Sequence, residues 1–268
     1  MRLAVNHKTS YAFDPPARGV AQSLRLWPSR FEGQSVTKWD VAIDGAVRGA
    51  GFRDGAGDWI ETATMRGPVD KVVVEVSGTV ETADLSGVLR GHRERISPLV
   101  YLRTTEFTAS NADIRALAND AIASENDPLG RAHSLSHVIT EAIEYIPNET
   151  DQGTTATEAV RAGKGVCQDH AHALIAAAIS VDIPARYVTG YLHASGDIAS
   201  ASHAWAELFV ENLGWVGFDA SNNMCPDARY IRLGSGFDSE DAAPIRGVTQ
   251  GFAAEALSVD VSVIEAAQ

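Results

Sequence analysis

The chain has 268 residues, enough for one large domain or two modest ones, and its 45% hydrophobic and 21% charged residues are those of an ordinary globular protein with an adequate core. The formal net charge of −13 argues against nucleic acid and against anionic membrane surfaces, both of which demand cationic neutralisation. It suits neutral or cationic substrates, although acidity mainly reports solubility.

The first hundred residues carry strand signals. LAVNHKTSYAF and SLRLWP read as strands separated by a turn at Asp14-Pro15-Pro16. SVTKWDVAID alternates apolar and polar residues before Gly45, DGAGD (54–58) is a turn, and the valine-dense DKVVVEVSGTVET (70–82) is the strongest strand pattern in this half. Such spacing predicts a β-sandwich or a related antiparallel sheet. No chemistry is visible here, and His7 and His92 read as structural or surface residues.

The period then changes. SNADIRALANDAIAS predicts a helix after a Ser110/Asn111 cap, and PLGRAHSLSHVITEAIEYI predicts a second opened by Pro128. Thr155 and Glu158 have capping-box spacing for a short third helix ending at Gly163. The alanine-rich run CQDHAHALIAAAIS (167–180) predicts a fourth. Alternation returns in ARYVTGYLHA, SHAWAELFV and GWVGFD, and again in the tail ALSVDVSVIEA (256–266), which is expected to return to a sheet. The boundary falls near 104–112, dividing the chain into a β-rich region, 1–105, and an α+β core, 106–268.

Cys167 opens the fourth helix after the glycine-punctuated turn at Gly163 and Gly165. A thiol there feels the positive end of the macrodipole, which favours thiolate. His203 and Asp219 follow on two strands joined by Glu211-Asn212-Leu213-Gly214. Cysteine, histidine and aspartate are the parts of a nucleophile, its base and the group that orients the base. Antiparallel pairing sets Asp219 opposite residue 205 or 206. Pairing with Trp205 puts His203 and Asp219 on one face, and pairing with Ala206 puts them on opposite faces. Spacing leaves the register open.

The stretches GVCQDHAHALIAAAISVDIPARYVTGYL (165–192), ASHAWAELFVENLGWVGFDASN (201–222) and DAAPIRGV (241–248) resemble the transglutaminase-like cysteine peptidase superfamily. YAFDPPARGVAQSLRLWPS (11–29) extends the likeness to bacterial two-domain members with a β-rich N-terminal domain. The resemblance implies an α+β fold, an antiparallel β domain followed by a papain/transglutaminase-like core of helices on an antiparallel sheet. It also implies Cys167 as nucleophile, His203 as base and Asp219 as orienter, and it favours the productive register. The chain departs from the family pattern at His170, where an aromatic is usual, and at Asp219-Ala220-Ser221, where Asp-Pro-Thr is common.

Other residues near the cysteine have simpler expected roles. The Cys167 N–H is the natural oxyanion donor, with the second donor unassigned. Gln168 is expected to face away and Asp169 to complement the helix dipole. Trp205 reads as a cleft wall or as core. Cys167-x-x-His170-x-His172 has zinc-like letters, but residues two apart on a helix diverge, so no metal and no cofactor is expected. Cys225 reads as a bystander.

The expected function is thiol-dependent acyl transfer from amide or isopeptide bonds of a peptide or protein substrate. Hydrolysis is favoured because water is always present. Transamidation and a non-catalytic scaffold that keeps the fold are the alternatives. Two cysteines make no disulfide framework, and MRLAVNHKTSYAFDPP lacks the apolar core of a signal peptide. Neither any membrane span nor any nucleic-acid partner is expected, and the expected location is the cytoplasm of a bacterium. The oligomeric state is left open.

Overall fold

The computed structural model describes residues 1–194 and 201–266. The N-terminal half is a six-stranded antiparallel sheet built on two long strands, β1 (Arg2–Leu24) and β4 (Trp59–Thr82). β2 (Gln34–Ile43) and β3 (Val47–Arg53) pair with different stretches of β4. The proline pair expected to turn the chain does not. β1 runs through Pro15-Pro16, and the ladder to β4 shifts register between Ala12 and Ala17 and again between Ala17 and Gly19. Proline has no N–H to give a ladder, and an irregularity of this kind tolerates the loss. One apolar cluster unites Phe13, Val20 and Leu24 of β1 with Val41 of β2 and Val72, Val74 and Val76 of β4.

The helices form where their caps predict. α1 (Ala112–Ile122) starts after Asn111, whose side chain accepts from the Ile114 N–H. α2 (Pro128–Ala142) is capped by Asp127. A two-stranded parallel link, β5 (Glu144–Tyr145) with β6 (Lys164–Gly165), brackets α3 (Ala156–Ala162). Thr155 and Glu158 close the capping box, a device worth about 1 kcal/mol. Gly163 ends α3 in the left-handed region at φ 66°, a conformation open to glycine at no steric cost.

α4 (Cys167–Ser180) is the central helix. It touches α1, α2, α3 and two strands of the second sheet, so it is buried on most sides rather than amphipathic, with Asp169, His170 and His172 as its buried polar residues. That sheet has the order β10-β7-β8-β9, from β7 (Ala185–Leu192), β8 (Ala201–Val210), β9 (Gly214–Phe218) and β10 (Tyr230–Gly236). The segment after β4 extends it, since Leu89 donates to the Trp215 carbonyl and Gly217 to that of Gly87, at 2.9 Å each.

Sequence groups 245–265 with the core. In the structure β11 (Ile245–Gln250) and β12 (Ala254–Glu265) instead pair antiparallel with β1 in the first sheet. Leu3, Val5, Val80 and Val263 then pack on Tyr191, Ile231 and Leu233 of the second sheet. The second sheet is therefore covered on both faces, by helices on one and by the N-terminal sheet on the other.

Five ionised side chains lie at that junction. Arg232 donates to Asp58 Oδ1 and to Glu207 Oε1, each at 2.8 Å, and Arg186 donates to Glu207 Oε2 at 2.7 Å and to Glu94 Oε2 at 2.6 Å. Asp58 also accepts from the Ser235 N–H at 2.7 Å, and the Arg186 guanidinium lies 4.0 Å over the Trp215 ring. Burial raises the Glu207 carboxyl, but the two guanidiniums outweigh it and hold the pKa at about 2. Asp58 is lowered in the same way, against burial, by Arg232 and Arg186.

Candidate active site

Each of the three expected residues sits where its element fixes it. Asp169 in the first turn of α4 accepts from the Val166 N–H at 2.7 Å and from Thr150 Oγ1 at 2.6 Å, so the turn carrying Cys167 is anchored from below. Asp169 is thus a cap, as its place in the first turn suggests. The N–H groups of Asp169 and His170 go to the Val166 carbonyl, which leaves those of Cys167 and Gln168 as the open donors at this helix end.

His203 and Asp219 lie on β8 and just past β9. The ladder pairs Ala206 with Phe218. One residue further, Asp219 falls opposite Trp205, the register that places His203 and Asp219 on one face. His203 Nε2 and Asp219 Oδ2 are 2.6 Å apart. Cys167 lines the same cavity as His203 and is the second group, after Asp219, that raises the pKa of this imidazole. All three residues meet.

The surroundings bias the charges. Asp219 accepts from Ser221 Oγ at 2.6 Å, Asn222 Nδ2 at 2.7 Å and Tyr230 Oη at 2.8 Å. Ser221 is one of the departures from the family pattern, and here its hydroxyl and N–H both bind the aspartate. Burial pushes the Asp219 pKa up, but the His203 hydrogen bond and charge, with Ser221 and Asn222, bring it down to about 2. For His203 burial is again the largest single influence and lowers the pKa. Its hydrogen bonds with Asp219 and Cys167 and their charges prevail, raising it to about 10. The imidazolium is the stable form at neutral pH.

Trp205 is buried core rather than a cleft wall, its ring stacked near the imidazole at 6.4 Å between centroids. Gly190, across the ladder from His203, makes that possible. A Cβ there would lie 2.7 Å from the Trp205 ring and 2.1 Å from the Ile231 carbonyl.

The other polar residues around the cysteine and histidine take other roles. His170 and His172 diverge. The nitrogens of His170 face the Val166 and Ile143 carbonyls, each at 2.9 Å, while His172 Nε2 accepts from the Ser239 N–H at 3.1 Å. His193 meets the Val263 carbonyl at 3.0 Å and ties β7 to β12. Cys225 is pushed up to about 11 by burial and the Asp84 charge. Gln168, expected to face away, lines the cleft and donates to the Gln152 carbonyl at 3.2 Å.

The cleft is a cavity of about 440 Å³ reached by Cys167 and His203. Its far wall was not foreseen: His7, Thr9 and Tyr11 of β1 and Leu257 and Val259 of β12 belong to the sheet in which no chemistry was visible. His7 is held between Tyr191 Oη and Thr9 Oγ1, at 2.8 Å each, and burial lowers its pKa to about 4, so it is neutral. Period-2 alternation in β1 and β12 marks an inward face, but only topology shows what that face meets. Among the described residues no helix is long and apolar enough to cross a membrane.

Comparison with known proteins follows this division. Residues 115–220 match the model of the transglutaminase-like superfamily, and residues 3–81 match that of the bacterial transglutaminase-like N-terminal region. An uncharacterized protein of Mycobacterium leprae is 29% identical over 98% of this chain and 98% of its own length. One from Mycobacterium tuberculosis is 33% identical over 44% of this chain and 41% of its own, so the match spans about two fifths of that relative. A solved structure of a candidate cysteine protease from Cytophaga hutchinsonii superposes with a TM-score of 0.76, at 20% identity, over 100% of this chain and 92% of that one. The two matched regions stand in the order and with the folds that the sheets and helices show: a transglutaminase-like core preceded by a region of the bacterial transglutaminase-like N-terminal kind.

Proposed function

We propose that the protein is a thiol-dependent acyl-transfer enzyme that hydrolyses amide bonds of peptides, with Cys167 as nucleophile, His203 as acid and base, and Asp219 as orienter. The observation that carries this reading is the 2.6 Å contact between His203 and a buried Asp219, on an imidazole whose other partner is a helix-start thiol. The Cys167 thiolate attacks the carbonyl carbon, forming a C–S bond while the oxyanion takes the Cys167 N–H. The C–N bond then breaks and His203 delivers its proton to the departing amine. Water next attacks the thioester. His203 accepts one water proton, the acid leaves, and the thiolate–imidazolium pair is restored. Asp219 keeps its proton off throughout and stabilises the imidazolium. Hydrolysis is preferred to transfer onto an amine because the cleft is open to water.

Cys167→Ala should abolish release of amine from a peptide substrate while circular dichroism stays that of the wild type. Cys225→Ala should retain at least half the activity. Mass-resolved peptide cleavage by the three proteins, with and without a labelled primary amine, decides this. Equal loss from both variants would show that the thiol is misassigned, and incorporation of the amine in preference to water would make the enzyme a transamidase.

A further inference from the structure

The cavity that holds Cys167 does not end at the core. It continues onto the face shared by β1 and β12, where Tyr11 pairs with Leu257 and Thr9 with Val259. Leu257 and Val259 are 47% and 51% exposed, unusual for large aliphatic side chains on a strand facing the body of the protein.

β12 is also an edge strand, with β1 on one side only. Ala266 donates to the Arg2 carbonyl across the β1 ladder. In an antiparallel pair the residues alternate between bonding the partner and pointing away from it. Even-numbered residues of β12 therefore bond β1, and the N–H and C=O groups of Leu257 and Val259 point outward. The same two residues thus offer an unpaired backbone edge and an apolar side-chain face to one cavity. Among the described residues no hydrogen bond engages the outward groups at either position. Among the described residues no lysine or arginine lines the cavity, whereas Glu240 does, and the His203 imidazolium is already paired with Asp219, so an acidic side chain would meet repulsion and no free cation.

Resting on the acyl-transfer reading above, we propose that β12 is the substrate-docking strand: an extended peptide adds to its free edge and seats an aliphatic or aromatic side chain on Tyr11, Leu257 and Val259, beside the bond presented to Cys167. Edge addition gives affinity through main-chain hydrogen bonds, and the alternate side chains give selectivity. The N-terminal sheet would then be the specificity half of the site.

Binding to the uncleaving full-length Cys167→Ala protein tests this independently of turnover. The probes are fluorescein-labelled Ala/Ser heptapeptides with Leu, Phe, Gly or Asp at the centre, read by anisotropy. Leu and Phe peptides should bind about tenfold or more tightly than Gly, with Asp weakest, since burying a few methylenes distinguishes ligands by roughly 10–200-fold. Leu257→Ser/Val259→Ser should erase the Leu-over-Gly preference with the melting temperature unchanged. N-methylation of alternate backbone amides of the Leu peptide should weaken it at least tenfold. Equal binding of the four peptides, or no binding, overturns the proposal, as does an unchanged preference in the double variant. A double variant that alters only the sedimentation coefficient would make β12 a contact between copies and would equally overturn it. Loss of amide cleavage in the wild type with peptide preference intact would refute the chemistry and leave the docking strand standing.

Discussion

His203→Ala should lower kcat/KM for peptide cleavage by about three orders of magnitude, within the range of roughly 10²–10⁴ typical of a positioned acid–base group. In the proposed reaction both halves use this imidazole, first as the proton source for the amine and then as the base for water. Asp219→Ala should cost less, about 10- to 100-fold, because a thiolate remains a good nucleophile without an oriented base. The pH profile separates the roles. The His203 pKa is raised to about 10, so imidazolium-dependent activity is present below that value and lost as pH rises through it. The Asp219 hydrogen bond and charge are among the causes of the rise, so in Asp219→Ala the alkaline loss should occur at lower pH. Cleavage rates for both variants between pH 5 and pH 11 check this. An Asp219→Ala profile that overlays the wild type would reduce the site to a dyad.

Arg232→Met should destabilise the protein by about 3–5 kcal/mol, the usual cost of removing one partner from a buried ion pair. The methionine fills the space, but Asp58 and Glu207 lose the guanidinium that neutralises both. These carboxylates come from different parts of the chain, Asp58 from the turn before β4 and Glu207 from β8, so the loss falls on the joint between the two sheets. The pH dependence has a definite sign. Glu207 has its folded pKa depressed from 4.5 to about 2, so its contribution is present above pH 4.5 and lost as pH falls through about 2. The shift corresponds to about 3 kcal/mol. Urea unfolding at pH 7 and pH 3 should show the wild type losing much of its stability at the lower pH. Arg232→Met should lose less on acidification, because Asp58 has lost its bonded guanidinium and Glu207 keeps only Arg186. A loss below about 1 kcal/mol at pH 7 would mean the network contributes little.

The helices were legible because their ends are written locally. Asn111, Pro128, the Thr155/Glu158 box and Gly163 each act through neighbours within four residues. Part of the candidate site has a related local origin: a hairpin is a short-range object that brings His203 and Asp219 near one another, whereas Cys167 reaches their cleft only through the packing of α4 on β8. The register that decides whether His203 and Asp219 share a face depends on where a three-residue turn places its positive-φ residue, Asn212 at 67°, and spacing alone leaves two choices. What escaped was long-range. Pro15-Pro16 looks like a turn until β4 is there to carry the offset ladder. Arg186, Glu207 and Arg232 look like the polar side of half-exposed strands, and only a sheet covered on both faces makes them a buried network. Arg186 and Glu207 are direct cross-strand partners, a signal that could be found once the β7–β8 register is known. The cleft wall on β1 and β12 escaped because strands at opposite ends of the chain must pair before it exists.

The central claim is that Cys167 is the reactive thiol and depends on His203, and the rate of its alkylation against pH tests it most directly. Iodoacetamide is added across pH 5 to pH 10 and each cysteine is followed by peptide mass mapping. The account predicts that at pH 6 Cys167 reacts at least tenfold faster than Cys225, whose thiol is held up at about 11, and that His203→Ala removes this advantage while leaving Cys225 unchanged. A Cys167 that is inert at pH 6, or that reacts equally well without His203, would contradict it.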